Sequence, residues 1–257
     1  MIAALPMYDW PEARGANDRF WAAIRDRLRA RGLGAPEALT RDLGLMAGWT
    51  HPDLVLGQTC GLPLVGPLAR RIAVIGAADF ALPGCPPGWY RSAVVARDDD
   101  PRETLASFRG ARLAINGYDS QSGWGSILHA VAPLAGRERF LGPVEVTGAH
   151  VDSVERVAAG AADFAAIDLV TWGYCLRHRP AARRLRVLAL TEPTPGLPYI
   201  AAPQADVAAL RAALAEAIAE MTPADRAELG SVRFVAMQAG DYAVIGERLA
   251  AASGIHP

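Results

Sequence analysis

The alternation of short apolar runs with amphipathic stretches constrains this chain more than any other feature of it. Runs at 2–7, 53–61, 70–80, 90–97, 111–115, 142–148, 162–170, 184–190 and 197–202 read as strands. Between them, 16–34 reads as a helix with Phe20, Ile24 and Leu28 inward and Gly32 just past its end. A second helix opens near residue 120, and a third spans about 150–159 and stops at Gly160. Val207–Met221, Pro223–Leu229 and Asp241–Ala252 read as three closing helices. Short apolar strands alternating with helices predict α/β architecture, with parallel or mixed sheets covered on both faces.

Two stretches rich in Pro and Gly, 77–90 and 190–201, each lie between apolar strands and read as crossings rather than surface loops. Two crossings predict two lobes with a double connection, a hinge and a cleft. Residues 1–80 plus 200–257 are expected in one lobe and 85–195 in the other, with hinges near 81–90 and 190–199. At 257 residues and 51% hydrophobic, the chain is long enough for a sizeable core as one large domain or two lobes.

Composition removes several functions. A formal net charge of −1 gives no electrostatic footprint for nucleic acid. The arginine-rich runs "RDRLRARG" and "RHRPAARRLR" read as solvated faces. There is no lysine, so a Schiff-base lysine, a pyridoxal-phosphate anchor and a P-loop lysine are all impossible. Cys60, Cys85 and Cys175 lack metal-ligand spacing and read as buried residues or free thiols, with one disulfide plus one thiol as the alternative. Neither a cofactor nor a metal is expected. The start, "MIAALPMYDWPEARGANDRF", lacks the basic region, apolar stretch and cleavage site of a secretory signal. No apolar run approaches the roughly 20 residues of a membrane span. The expectation is a protein outside the membrane, cytoplasmic unless its natural N-terminus lies further upstream.

The most informative stretch is "LAINGYDSQSGWGSILHAVAPLAG", residues 113–136. An apolar strand ends, small polar residues follow, and Trp124, Ile127, Leu128, Val131 and Leu134 recur at helical spacing. One Ser or Asp suffices to cap a helix. Ser120 and Ser122 exceed that need, and a helix N-terminus suits an anion through its unpaired amides and dipole. Elsewhere, Asp168 ends the strand "FAAID" and either caps the next helix or faces a ligand. His150 stands at a helix start, while His51, His129, His178 and His256 read as structural or surface residues. A Cys60–His150 pair can be drawn, but nothing local favours it over a buried thiol.

The layout resembles the type II periplasmic binding proteins. Its motifs are most similar to the branch that includes phosphate, phosphite and phosphonate transport binding proteins. "MYDW" after the first strand, "GQTCG" after the second, "NGYDSQSGW" and "VTGAHVDSVERVAAGAADFAAID" carry the resemblance, which spans about residues 2–203. It implies ligand contacts from Tyr8, from Thr59 with Gln58 adjacent, from Ser120, Gln121 and Ser122, and from His150. Asp168 matches an acidic residue that in some members meets a ligand amine. Gln121 stands where Ser or Thr is usual, and Asp119 adds a carboxylate, so a ligand other than bare phosphate is expected.

The resemblance implies a monomeric solute-binding protein that closes a cleft on a small anion or zwitterion, phosphonate-like in its oxyanion, without turnover. An ABC permease is the implied partner. Two alternatives share the layout: an enzyme related to thiamine-pyrimidine synthases and a cytoplasmic ligand sensor. Conversion of a bound ligand identifies the first. An adjacent permease and ATPase favours transport over the second.

Overall fold

The structure is a computed structural model and describes residues 1–136 and 139–252; His256 lies outside the described residues. The chain divides into two compact units, one of Met1–Trp89 and Pro195–Ala243, the other of Tyr90–Thr194 and Val244 onward.

The first unit is built on a five-stranded sheet in the order Ile2–Ala4, Leu54–Gln58, Pro198–Ala201, Ala73–Asp79, Arg233–Ala236. The first pair is parallel and the remaining pairs are antiparallel, so the sheet is mixed. Pro198–Ala201 shows why both faces must be covered. Tyr199 and Ala201 join the cluster formed by Phe20, Ile24 and Leu28 of helix Arg14–Ala30 and Leu210, Leu214 and Ile218 of helix Val207–Ala219. Ile200 and Ala202 join Trp49, Leu54 and Leu68 in a second cluster. The period of two sends alternate side chains to opposite faces.

The second unit has its own five-stranded sheet, in the order Val144–Val146, Leu113–Ile115, Phe164–Asp168, Ser92–Arg97, Leu185–Leu190. The first two pairings are parallel and the last two antiparallel. Ala93 to Ala96 are fully buried at the strand centre. The helices Ser126–Ala135, His150–Ala158 and Leu169–His178 follow directly on strand ends or turns of this sheet. Three of its strands therefore end at the segments where the polar residues cluster.

The sequence reading differs from the structure in several places. The chain from Val244 belongs to the second unit, not with residues 200–243, and Arg248 there donates to the Pro193 carbonyl at 2.7 Å. The expected strand 2–7 stops at Ala4, because Pro6 cannot donate to a ladder and starts a 3-10 turn through Tyr8. The helices Leu45–Trp49 and Gly61–Val65 are too short to show a periodic pattern, and the edge strand Arg233–Ala236, which overlaps the short apolar run 234–237, is absent from the expected strands. None of the three cysteines is in a disulfide. No described helix is long and apolar enough to cross a membrane.

Candidate functional site

In the second unit, three chain segments bring Ser120, Ser122, His150 and Asp168 together. The strand Leu113–Ile115 runs into a turn, and Ser120 takes an extended conformation as the cap of a π-helical turn over Gln121–Gly125. Its Oγ accepts from the Gly123 amide at 3.0 Å, and its carbonyl accepts from the amides of Trp124 and Gly125, each at 3.0 Å. The wide turn passes into the helix Ser126–Ala135. Such π-turns recur at functional sites.

Ser120 is therefore the cap, and Ser122 is not. The Ser122 Oγ lies 2.7 Å from His150 Nε2 and 3.4 Å from Ser120 Oγ. Ser92 Oγ donates to the Ser122 carbonyl at 2.9 Å and fixes the turn from the adjoining strand. Gly123 sits close against Asn116: an added Cβ would stand 2.0 Å from Asn116 Oδ1, so that side chain would have to shift. Gln121 is buried and packs back over Gly125. Asp119 is exposed and folds back on Gly117, which takes its carboxylate away from Ser122.

His150 begins its helix after the extended Ala149 and its side chain is nine-tenths buried. Asp168 ends the neighbouring strand and caps the helix Leu169–His178, accepting from the Thr171 amide at 2.9 Å and from the Thr171 hydroxyl. Its Oδ2 also lies 3.6 Å from His150 Nε2. Burial pushes the His150 imidazole below its ordinary value, while the Asp168 charge and the Ala166 backbone pull the other way. The net direction is downward, so the imidazole is neutral near pH 7. Ser122 and Asp168 both face Nε2. In a Ser-His-Asp triad the acid instead sits on Nδ1 and the serine on Nε2, so this cluster does not have that geometry.

Tyr8 and Thr59 belong to the first unit. Tyr8 is buried, packs against Trp10 and meets Phe80 edge-on, and its carbonyl accepts from Asn17 Nδ2 at 3.0 Å. With Gln58, Asn17, Tyr199 and Ser231 it lines a cavity of about 20 Å³. Thr59 is fully buried, its amide donates to the Pro198 carbonyl at 3.0 Å, and its hydroxyl reaches the Cys60 carbonyl at 3.5 Å. The remaining aromatics and histidines take local roles. Tyr118 is exposed and edge-on to Trp124, and Trp172 is buried. His51 Nδ1 accepts from the Asp53 amide, and His178 packs on Tyr174.

Sequence reasoning missed Ser92 and Thr171 as supports of this site, and Asn116 as the side chain that abuts Gly123. A serine at the head of the apolar strand "SAVVAR" was the available signal for Ser92. Asn116 and Thr171 had none beyond ordinary turn and cap chemistry.

The fold is the type II periplasmic-binding-protein architecture. The family described as the phosphonate ABC-transporter periplasmic substrate-binding protein matches residues 65–244, and the chain belongs to it. No curated protein matches. Among solved structures, the chain is similar to PhnD1 of Prochlorococcus marinus (MIT 9301) in complex with methylphosphonate. The two are 16% identical over 96% of each chain, with a TM-score of 0.73. XAC2383 of Xanthomonas citri bound to chloride ion is 16% identical over 99% of this chain and 98% of its own, at 0.72. The PA3383 binding-protein component of an ABC phosphonate transporter from Pseudomonas aeruginosa is 15% identical over 96% and 84%, at 0.67. At such identities these likenesses speak for the fold. The family is one of periplasmic substrate-binding proteins rather than enzymes.

Proposed function

We propose that this chain captures a small phosphonate-class oxyanion at the Ser122–His150 turn and delivers it unchanged to an ABC permease. One observation carries the reading: Ser122 is free of capping duty and its hydroxyl pairs with a buried histidine 2.7 Å away. Ser120 Oγ occupies the Gly123 amide, and the Ser122 amide stands in the same first turn, where a helix start suits an anion. Ser122 Oγ, His150 Nε2 and the Gln121 side chain complete the donor set. PhnD1, similar in fold, is described with methylphosphonate, which fits that donor set. Against turnover stand the placement of Ser122 and Asp168 on one imidazole nitrogen and the lack of any lysine.

Calorimetric titration with methylphosphonate, phosphate and sulfate tests the reading, followed by analysis of the recovered ligand. One-to-one binding with intact ligand is expected. No heat and no melting shift with any of the three anions overturns capture. Conversion abolished by His150→Ala overturns the non-catalytic assignment. Parallel titration of Tyr8→Phe reports whether the first unit's tyrosine hydroxyl takes part.

A further inference from the structure

An anion receptor needs positive charge or many donors, and this one is short of charge. Among the described residues, no arginine is shown bonded to Ser120, Ser122 or His150, and the sequence has no lysine. The one group at the turn that can become a cation is the His150 imidazole. It is held between the Ser122 hydroxyl at 2.7 Å and the Asp168 carboxylate at 3.6 Å, with nine-tenths of its side chain buried.

We propose that His150 takes up a proton when the oxyanion arrives, so that capture of the ligand is coupled to proton binding and weakens as pH rises. The inference rests on the oxyanion reading of this turn. In the ligand-free protein, burial keeps the imidazole neutral despite Asp168. An anion received at Ser122 places a second negative charge beside Nε2, and opposite charges within about 4–6 Å favour the charged form of a histidine. The proton comes from solvent and goes onto the imidazole; no bond of the ligand changes. Nε2–H then donates toward the anion, which neutral imidazole does only in one tautomer.

Other charged groups lie on the His150 helix and on the elements packed against it. Its own helix carries Asp152, Glu155 and Arg156, and the helix Leu169–His178 carries Arg177 and His178. The 3-10 segment Pro180–Arg184 adds Arg183 and Arg184, and the strand Ser92–Arg97 ends in Arg97. Of all these neighbours, Asp168 is the charge that acts on the imidazole. Asp168 is thus a positioning residue: it acts through His150 while its oxygens serve Thr171.

Linkage sets the sign. Below the His150 value of the free protein the ring is already charged, and affinity is flat with pH. Between that value and the higher one of the complex, affinity falls about tenfold per pH unit as pH rises. Above the complex value affinity is flat again and weak.

Calorimetry of methylphosphonate binding in buffers of different ionisation enthalpy counts the protons taken up. Methylphosphonate titrates near neutrality itself, so the quantity read is the difference between the native protein and His150→Gln. An excess uptake of up to one proton in the native protein supports the proposal, and an equal count in both proteins overturns it. Should His150→Gln not bind, the pH profile of Asp168→Asn decides. Asparagine still caps the helix, but loss of the charge moves the fall in affinity to lower pH. A profile lowered equally at every pH overturns the coupling. Binding without excess uptake leaves capture standing, whereas absence of binding to the native protein removes capture itself and the coupling with it.

Discussion

Two turns of this molecule look alike in sequence and differ in what they leave available. After Leu54–Gln58 the first unit places Thr59 and Cys60 before a helix, and after Leu113–Ile115 the second unit places Ser120 to Ser122 before another. In the first, the Gln58 carbonyl accepts from Trp49 Nε1, the Thr59 amide bonds Pro198, and Thr59 is sealed in the interior. The helix that follows, Gly61–Val65, is five residues long and has no side-chain cap. In the second, one serine discharges the capping duty and leaves the next one to meet a histidine from a different segment. A polar residue after a strand becomes a candidate ligand group only when the backbone's own needs are already met.

Ser122→Ala should produce the largest effect. A hydrogen bond to a charged group contributes about 1.5–3 kcal/mol, which corresponds to a loss of affinity on the order of tenfold to a hundredfold. Stability of the ligand-free protein should fall by about 0.5–1.5 kcal/mol, the worth of the Ser122–His150 hydrogen bond, since Ser122 Oγ caps no helix. Calorimetry alongside thermal melts reads both quantities. Unchanged affinity with a lowered melting point would place Ser122 with the structural residues.

Gly123→Ala should come next, now in stability. Its Cβ would meet Asn116 Oδ1 at 2.0 Å and Ser120 Oγ at 3.3 Å. Overpacking of this kind costs about 1–3 kcal/mol. The offending atom ends a side chain, so Asn116→Ala in the same protein should recover part of the loss. No recovery in urea unfolding of the double variant would mean that the strain lies in the backbone.

Ser120→Ala should be smaller again. It removes an N-cap at a cost of about 1 kcal/mol, read as a shift in denaturation midpoint. Affinity should fall less than in Ser122→Ala, because Ser120 Oγ already accepts from Gly123. Equal losses of affinity in the two variants would erase the division of labour between the serines.

How much of this was legible beforehand follows the same physics. The alternation of strands and helices could be read because burial on both faces imposes it over many residues. The stretch 113–136 and the strand ending in Asp168 stood out because small hydroxyls and a carboxylate are unusual between apolar runs. Asp119 and Ser120 both read as cap candidates, and only the backbone conformation of the π-turn decides for Ser120. Asp168 was open between two roles, and its oxygens take the cap while one of them also stands near His150. Ser92, which fixes the turn, and Asn116, which abuts Gly123, come from segments distant in sequence or from a turn of ordinary composition. The five-residue helices after residues 44 and 60 fell below the length at which periodicity can show.

The smallest expected effect belongs to the first unit's turn. Among the described residues, the Thr59 hydroxyl has one hydrogen-bond contact, 3.5 Å from the Cys60 carbonyl, at the outer limit of a hydrogen bond. Thr59→Val keeps the branched shape and removes only that oxygen. Replacing a weakly satisfied buried hydroxyl by a methyl loses little hydrogen bonding and relieves some desolvation, so stability should shift by less than about 1 kcal/mol in either direction. Affinity for methylphosphonate should fall by less than in Ser122→Ala, since a side chain with no exposed surface has no open face for a ligand. Should Thr59→Val instead weaken binding as strongly as Ser122→Ala, the threonine hydroxyl contacts the ligand. The two turns would then be equivalent, contrary to the burial that separates them.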